Sequence, residues 1–407
     1  KKKFKNLKDC SNTFVKIFSK AIESKIDKKK PLNLFLSGGL DTRLILATVL
    51  KLKLKPNCFT FGFIKNSEFY YSKQLTKIYN LTHKFIKIDK LEIINNLKFK
   101  FLISSGMYNH FINFFSKKKE VFINPKDNTL HGHGLDYMFQ GMYMPNHQVK
   151  IFNKNTHLKF PVNLSKITNL IKFYFYNSTY KTKNFDLKRY LISSDKKSSE
   201  NRLINVLKKD FREISKIKIN NDKWEYLLIK NLSRHYSHMD VISLSEYGSE
   251  KKIAYENNLF DFYLSLEDKY RFDGKIVKNS LKIMNRRFAN IPSANHGMKI
   301  IYSSKALFLR SIFNKILYLI TSNWKYKHPS NFRRTFPDLD VQIQKSIKIQ
   351  NLINKMFKSK KFKNFLNIID FGNLYIDYML MLKNKKSNIG QIMFLLLHLY
   401  TLKKFLD

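Results

Sequence analysis

A short stretch near the start of the chain brings together residue types that can bind a phosphate. Gly38 and Gly39 carry no Cβ, so the backbone at these two positions can approach an anion closely. Ser37 and Thr42 add hydroxyl groups on either side. Asp41 would repel a phosphate by itself, but it is a suitable ligand for the Mg²⁺ that accompanies one. These residues in this order predict a phosphate-binding loop, the first glycine loop (residues 37–42).

The flanking residues determine how such a loop would be presented. Residues 32–36 are mostly apolar, and residues 44–54 carry apolar side chains at helical spacing, so we expect a strand, a tight turn and a helix. The helix N-terminus would add unpaired N–H groups and about half a positive charge. A plain strand-to-helix turn is the alternative. The stretch has neither the Gly-Lys-Ser/Thr of a Walker loop nor the three spaced glycines of a dinucleotide fold.

Glycines cluster a second time further along the chain. The protein has 12 glycines, and Gly132, Gly134 and Gly141 fall close together around the second glycine loop (residues 131–136). Chance does not readily explain why so few glycines gather in two short stretches. A glycine-rich turn without a ligand is again the alternative.

The second glycine loop also contains groups that can do chemistry. Asp136 would give Asp41 a partner carboxylate, and two carboxylates suit the Mg²⁺ of a pyrophosphate group. His133 stands between two glycines, where a neutral imidazole could act as a general base or serve only as a hydrogen-bonded loop residue. We therefore expect the two loops to meet at one site.

Strands and helices alternate around the first loop. The sequence predicts strands at 57–63 and 83–88 and helices at 67–79 and 91–105, with Ser67 as an N-cap. This alternation is typical of an α/β fold, a parallel sheet flanked by helices on both faces. Ligands of such sheets bind at the carboxyl ends of the strands, which is where the first loop would lie.

The remaining sequence gives fewer signals. Residues 137–230 are rich in Lys, Asn, Phe and Tyr without a clear motif, and we interpret them as a helical insertion or surface layer. Residues 301–407 have the pattern of basic amphipathic helices, which predicts a helical C-terminal extension of the domain formed by residues 1–300.

Composition limits the class of protein. A hydrophobic content of 43% favours a globular protein over a disordered one. A formal net charge of +46 ordinarily indicates nucleic acid or an acidic membrane as a partner. Here Lys, Asn, Ile and Phe are abundant together, also where the pattern is that of an ordinary solvated helix face. This favours a general compositional bias, and we expect neither a membrane nor a nucleic-acid partner.

The cysteines and apolar runs exclude other classes. Cys10 and Cys58 are the only cysteines, and they are too few and too far apart in sequence for a metal knuckle or a disulfide framework. No apolar run approaches the roughly 20 residues of a membrane-spanning helix. A reduced, cytoplasmic location is the expectation.

The first loop resembles the Ser-Gly-Gly-x-Asp-Ser motif of the PP-loop ATP pyrophosphatases, with Thr42 in place of the final serine. The spacing of Gly132, Gly134 and Asp136, followed by Tyr143, resembles the second motif of the asparagine synthetase family, which includes the β-lactam synthetases. The chain is therefore similar to the synthetase domain of that family over roughly residues 10–300. The fold implied is of the adenine nucleotide alpha hydrolase-like, PP-loop type.

Downstream segments carry the resemblance more loosely. The family's Glu-x-Arg-x-Pro-Phe segment is echoed by residues 250–256, which have a glutamate, Glu250, but no proline. The family's lysine before a Leu-Arg pair is matched by Lys278, with Lys275 as a competitor.

Members of the family adenylate a carboxylate with Mg-ATP, release pyrophosphate, and let ammonia or an amine attack the acyl-AMP. The resemblance therefore implies ATP and Mg²⁺ as cofactors, and a small-molecule carboxylate with an amine or ammonia donor as partners. By position in the motifs, the catalytic residues are His133 and Lys278, and the metal ligands are Asp41 and Asp136. The implied nucleotide-binding residues are Leu36, Ser37, Gly38, Gly39, Asp41, Thr42, Phe61, Gly62, Phe63, Gly132 and Gly134.

The departures from the family pattern bear on the substrate. Where this chain has His133, asparagine synthetases have a glutamate and β-lactam synthetases a tyrosine, and Tyr137 replaces an acid. These changes favour a carboxylate or amine other than those of asparagine formation. Family members often carry an amino-terminal glutaminase whose catalytic cysteine is the first residue, a position that Cys10 does not occupy. The nitrogen would come from an upstream glutaminase domain, a glutaminase subunit or another source.

Two other functions remain open at this stage. A tRNA-modifying PP-loop enzyme would suit the basic charge, although the second glycine loop is typical of the amidotransferase branch. A non-catalytic relative that binds nucleotide is the other alternative.

Overall fold

The computed structural model describes residues 3–62, 64–87, 101–102, 106, 124, 126–151, 154–177, 187–192, 195–231, 249–321, 339–383 and 389–407. The chain forms two compact units. The first unit comprises Lys1–Ile88, Lys117–Val162 and Ser243–Phe336. The second comprises Asp89–Ser116, Asn163–Ile242 and Pro337–Asp407. The predicted C-terminal extension from residue 301 is thus divided between the two units.

Within the described residues, seven strands form two sheets. In chain order they are β1 (Leu32–Phe35), β2 (Asn57–Gly62), β3 (His83–Lys87), β4 (Asn128–Leu130), β5 (Asn146–Ile151), β6 (Lys154–Pro161) and β7 (Ser249–Lys251). Five of them make a wholly parallel sheet in the order β3-β2-β1-β4-β7. Strands β5 and β6 pair as an antiparallel hairpin.

Helices account for most of the remaining described structure. They are α1 (Leu7–Lys25), α2 (Leu40–Lys51), α3 (Ser67–Lys77), α4 (Leu135–Phe139), α5 (Leu170–Asn177), α6 (Asp195–Glu213), α7 (Asn220–Leu227), α8 (Asn257–Ser265), α9 (Asp268–Arg271), α10 (Lys275–Met284), α11 (Arg286–Asn290), α12 (Ser304–Thr321), α13 (Leu339–Gln344), α14 (Ile347–Lys358), α15 (Lys360–Phe365), α16 (Phe371–Leu382) and α17 (Gly390–Leu406). The predicted α/β fold, a parallel sheet flanked by helices with a helical C-terminal region, is confirmed.

Apolar packing fixes the helices that carry the site. Helix α1 buries a face that includes Phe14 and Phe18, four residues apart and therefore on one side of the helix. The Phe14 ring lies 4.9 Å from that of Phe139, at the end of α4. Helix α1 packs against α8 and α10, and α10 also packs against α2. Helix α2 follows the first loop, and helix α10 carries Lys278. Both helices therefore pack on a common core.

The N-cap of α3 differs from the one predicted. Asn66, not Ser67, caps α3, because the Asn66 side-chain oxygen accepts hydrogen bonds from the amides of Glu68 and Phe69. The Ser67 hydroxyl instead donates to the Ala294 carbonyl at 3.3 Å. The predicted helix at 91–105 lies almost entirely outside the described residues.

The prediction for residues 137–230 was a helical insertion or surface layer, and the β5–β6 hairpin within them is not helical. Along β6, Leu158 and Phe160 alternate with His157 and Lys159, a period of two that indicates a strand. The alternation covers few residues, and the surrounding Lys and Asn residues obscured it. Helices α5 to α7, which do fall within the predicted insertion, belong to the second unit.

The second unit has its own aromatic core. Trp224 is buried, and its ring lies 5.2 Å from Tyr174. The buried Asp377 carboxylate accepts a hydrogen bond of 2.5 Å from the Tyr190 hydroxyl. Helix α17 packs against α13 and α14. Of the helices within the described ranges, none combines the length and the apolar content that crossing a bilayer requires.

Candidate functional site

The order of strands creates a switch point in the parallel sheet. From β1 the chain proceeds outward to β2 and β3, and it later returns to the opposite side of β1 as β4. Such a reversal opens a crevice at the carboxyl ends of the two strands on either side of it, which is where open α/β sheets bind ligands. The first glycine loop follows β1 and the second follows β4, so both loops lie at this crevice.

The first glycine loop is closed by hydrogen bonds within itself. The Thr42 hydroxyl accepts the Ser37 N–H and donates to the Ser37 carbonyl, both at 3.1 Å. The Ser37 hydroxyl lies 3.2 Å from that of Thr42 and also accepts the Gly39 N–H at 3.2 Å. Thr42 therefore stabilises the closed loop, and it is also a predicted phosphate contact.

Neighbouring residues leave no room for a side chain at Gly38. A Cβ built there would lie 2.7 Å from the Cβ of Ala294. The Ala294 N–H donates to the Gly38 carbonyl at 3.2 Å. Gly38 is required because another segment packs directly against the loop.

The two glycine loops meet. A Cβ on Gly132 would lie 2.6 Å from the Cβ of Asp41 and 3.1 Å from the Thr42 methyl carbon. The Asp41 pKa is raised well above its usual range, first by burial and then by the negative charge of Asp136. Two carboxylates, one from each loop, thus repel each other across a contact that only a glycine permits.

Gln140 anchors the first of these carboxylates, a role that the sequence did not predict. Its side-chain N–H donates to Asp41 Oδ1 at 2.5 Å, which partly opposes the rise in the Asp41 pKa. Gln140 follows α4 and lies against Gly274, at 3.5 Å from a Cβ built there. The Gln140 side chain therefore joins the first loop to the turn before α10, and Gln140 itself follows α4, the helix after the second loop. The sequence signal that could have drawn attention to Gln140 is its position immediately before Gly141.

The contact between His131, at the start of the second loop, and Glu250 supports that loop. The His131 Nε2 atom lies 2.7 Å from Glu250 Oε1, and both side chains are buried. His131 Nδ1 accepts the backbone N–H of His133 at 3.2 Å. Since Nδ1 is an acceptor, the ring proton is assigned to Nε2, which donates to Glu250. Strand β7, which carries Glu250, pairs with β4 and so brings the carboxylate to this position.

Tyrosines close the other side of the second loop. The Tyr137 and Tyr255 hydroxyls form a short hydrogen bond. Burial, followed by the charge of Asp136, raises the Tyr255 pKa, so this phenol stays protonated. Gly134 has φ of +91°, a conformation that favours glycine, and a Cβ there would lie 2.8 Å from that of Ala254. The His133 ring is half-buried beside Tyr137, with 6.0 Å between ring centroids.

Lys278 lies on the buried side of the first unit's α10. Its ammonium group contacts Asp273 Oδ1 at 3.2 Å and donates to the Tyr302 carbonyl at 2.9 Å. Burial lowers the Lys278 pKa, and Asp273 partly opposes that shift. Lys275, the competing candidate, is exposed at the start of the helix. The burial and pairing distinguish Lys278 from its competitor.

Arg43 supports the first loop from behind. Its buried guanidinium donates to the Gly38 carbonyl at 2.9 Å and to three carbonyls of the segment 288–292 at 2.6 to 2.9 Å. Burial lowers the Arg43 pKa to about 9. This buried cation, which donates to four backbone carbonyls, thus ties a distant segment to the loop.

Residues 13–111 match the model of the asparagine synthase family. The match supports an asparagine synthetase family domain in this part of the chain. The match covers about a quarter of the chain, including the first loop and β1 to β3. No curated protein matches the chain. At the level of the family, the match supports an ATP-dependent ligase of the asparagine synthetase type.

Motif residues beyond the matched range lie beside those within it. The second loop contacts the first through Gly132, and the turn before α10 contacts Leu40 through Gly274. Structure well downstream of residue 111 therefore packs against the part of the chain that matches the family model.

Leu36, Phe61 and Gly62, which belong to the predicted nucleotide-binding set, lie at the same sheet edge. Leu36 is only 2% exposed, and its carbonyl accepts hydrogen bonds from the Thr60 and Ser72 hydroxyls. Phe61 is half-buried at the end of β2 and lies 4.9 Å from the Phe35 ring. A side chain at Gly62 would crowd the Phe85 ring at 3.3 Å. Phe63 lies outside the described residues.

The carboxylates suit a metal that substrate oxygens also bind. Within the described ranges, no group of three or more His, Cys, Asp and Glu side chains could hold a metal ion. Asp41 and Asp136 form a pair, and Mg²⁺ commonly takes one or two carboxylates together with substrate phosphates and water. The donor set therefore fits Mg²⁺ bound with a nucleotide better than a closed protein cage.

Proposed function

We propose that the protein adenylates a carboxylate with ATP and passes the activated acyl group to ammonia or an amine. The observation that carries this proposal is the meeting of two glycine loops at one switch point, with Asp41 and Asp136 close enough to raise the Asp41 pKa. A plain strand-to-helix turn requires neither the second loop nor a pair of repelling carboxylates.

The proposed reaction has two steps. An oxygen of the substrate carboxylate attacks the α-phosphorus of ATP, the bond from that phosphorus to the bridging oxygen breaks, and pyrophosphate leaves. The nitrogen nucleophile then attacks the acyl carbon, AMP leaves with its oxygen, and the nitrogen loses a proton. The first step is needed because a carboxylate oxygen is a poor leaving group until it is bonded to AMP.

The site offers distinct regions for the parts of ATP. The first loop, at the N-terminus of α2, is suited to the β- and γ-phosphates, since Gly38 and Gly39 expose backbone there. The half-buried Phe61 at the end of β2 provides an apolar surface for the base. Asp41 and Asp136 would hold Mg²⁺, which when bound neutralises charge on the departing pyrophosphate.

Lys278 is proposed to stabilise both transition states. The turn that precedes its helix borders the first loop through Gly274. Asp273 and the Tyr302 carbonyl hold the ammonium group in one place, so little reorganisation is required when charge develops on the substrate.

His133 is proposed to act in the second step. Its backbone is fixed by His131, while its ring stands beside Tyr137 on the second loop. A neutral imidazole that takes a proton from the attacking nitrogen would contribute about 10²- to 10⁴-fold to the rate. If the His133→Ala variant forms both the adenylate and the amide at wild-type rates, the ring is structural.

ATP–pyrophosphate exchange with a panel of carboxylates tests the function. The expected result is exchange that requires Mg²⁺ and one class of carboxylate, since only a reversible adenylation returns label from pyrophosphate to ATP. Binding of ATP without exchange for any carboxylate would favour the non-catalytic alternative. Absence of ATP binding would contradict the assignment of the loops.

A further inference from the structure

One face of β6 is directed toward the elements around the first glycine loop. His157 and Lys159 are two residues apart on the strand and therefore share a face. The His157 ring lies 6.3 Å from the His296 ring. The Lys159 ammonium lies 5.5 Å from the centroid of the Phe272 ring. Both partners belong to turns of the first unit.

These two turns are the ones that contact the loop. His296 follows closely on Ala294, whose N–H donates to the Gly38 carbonyl. Phe272 precedes Asp273 and Gly274, and a Cβ on Gly274 would lie 3.6 Å from the Leu40 side chain. The face of β6 that carries His157 and Lys159 therefore contacts the two segments that support the first loop.

Lys278 and Lys159 differ in whether a carboxylate offsets the charge of the ammonium group. Lys278 is in contact with the Asp273 carboxylate, which offsets its charge. In the described part of the chain, Lys159 forms no salt bridge, and Phe272 presents only a ring face to it. Lys159 lies close enough to Lys278 to repel it and to lower the Lys278 pKa further. The pair therefore carries an excess positive charge beside the loop.

We propose that Lys159 is a second cation that binds the pyrophosphate group at the first loop. The inference rests on the proposed function and deepens it, because it assigns a contact of the leaving group to the hairpin. A pyrophosphate group has several negative charges, and one compensated lysine leaves part of that charge unopposed. An anion between the two ammonium groups would also relieve their mutual repulsion.

Calorimetric titration of the full chain with inorganic pyrophosphate and Mg²⁺ tests the proposal without knowledge of the carboxylate. Lys159→Met is expected to weaken binding by about a hundredfold, as for loss of one preorganised charged contact. Lys159→Arg keeps the charge and is expected to restore most of the affinity. Lys150→Met, on the same hairpin but at an exposed position, is the matched control and should bind as the wild type does.

The outcomes separate this inference from the function. Wild-type binding with unchanged binding by Lys159→Met would overturn the role of Lys159 and leave the ligase proposal intact. No binding by the wild type would overturn the phosphate site, and the role of Lys159 with it. Thermal unfolding of each variant checks the fold, and loss of affinity in Lys159→Met with equal loss in Lys159→Arg would indicate packing rather than charge, contradicting the proposal.

Discussion

The two glycine loops reach the same crevice by different means. The first is closed from within, by hydrogen bonds between Ser37 and Thr42, five residues apart. The second is held from outside, by His131 bound to Glu250, which lies 119 residues away. The hydrogen bonds that close the first loop form within its own stretch, and Arg43 and Ala294 then tie the closed loop to residues 288–294. A loop held from outside depends on the completion of the sheet, so changes far away in sequence can alter it.

The carboxylates test whether the two loops act as one site. Asp41→Asn and Asp136→Asn are each expected to lower Mg²⁺-dependent exchange by about 10²- to 10³-fold, because each removes half of the charge that would hold the metal. Asp261→Asn changes an exposed carboxylate on α8 and should have no effect. Exchange that is lost in only one of the two variants would assign the metal to a single loop.

We expect the stability of the protein to depend on the Glu250 side chain, which supports the second loop from a distant part of the sequence. Glu250→Ala leaves the buried His131 N–H without its acceptor, which is expected to lower the free energy of unfolding by about 1–3 kcal/mol. Glu250→Gln retains an acceptor oxygen and should cost less. Urea denaturation measures both, with Glu23→Ala as a control at an exposed carboxylate. Equal stability of Glu250→Ala and the control would show that the second loop does not need this support.

The first loop should depend on its own hydroxyl. Thr42→Val removes the two hydrogen bonds to the Ser37 backbone and is expected to lower stability by about 1–2 kcal/mol and to weaken pyrophosphate binding. Thr48→Val is the matched control, because the hydroxyl of this buried threonine on the same helix bonds to the Leu44 carbonyl and to Met284 Sδ, and to no atom of the first loop. If both variants bind pyrophosphate alike, the closure of the loop is irrelevant to the anion.

Repulsion between the loops should appear in the pH dependence of stability. The Asp41 pKa is higher in the folded protein than in the unfolded chain, so the ionised carboxylate destabilises the fold. The penalty is absent below the unfolded value, near 3.8, grows as pH rises toward the folded pKa, and is constant above it. Without divalent ions, Asp41→Asn is therefore expected to be more stable than wild type at neutral pH by about 1 kcal/mol or more.

The comparison of Asp41→Asn with wild type also provides a control when the pH and the Mg²⁺ concentration are varied. The advantage of Asp41→Asn should vanish as pH falls below 3.8, and added Mg²⁺ should stabilise wild type but not the variant. An advantage that is equal at every pH would mean that charge is not its cause. Chemical denaturation followed across pH, with and without Mg²⁺, provides the measurement.

Local determinants explain what could be predicted from the sequence. The strand, first loop and helix at residues 32–51 were predicted correctly because an apolar run, two glycines and a helical period all lie in one short stretch. The presence of a second loop was visible in the clustering of glycines. The fold class followed from the alternation of strands and helices.

Long-range determinants explain what was missed. Strand β7 has charged residues at two of its three positions, and only its pairing with β4 makes it a strand. Glu250 stood within a recognised segment, but nothing local joined it to His131. Gln140 and Arg43 act on residues 99 and up to 249 positions away, respectively. Such contacts are made by the completed fold and leave no periodic trace in the chain.

The four carbonyls around the Arg43 guanidinium also set an order for synthesis. Three of them lie 245 to 249 residues downstream, so they emerge from the ribosome long after the first loop. Until then this cation lacks three of its four acceptors, and burial without them is costly. A nascent chain that ends before residue 288 therefore lacks the backbone that pairs with Arg43 behind the first loop, even though the whole stretch that matches the family model has already been made.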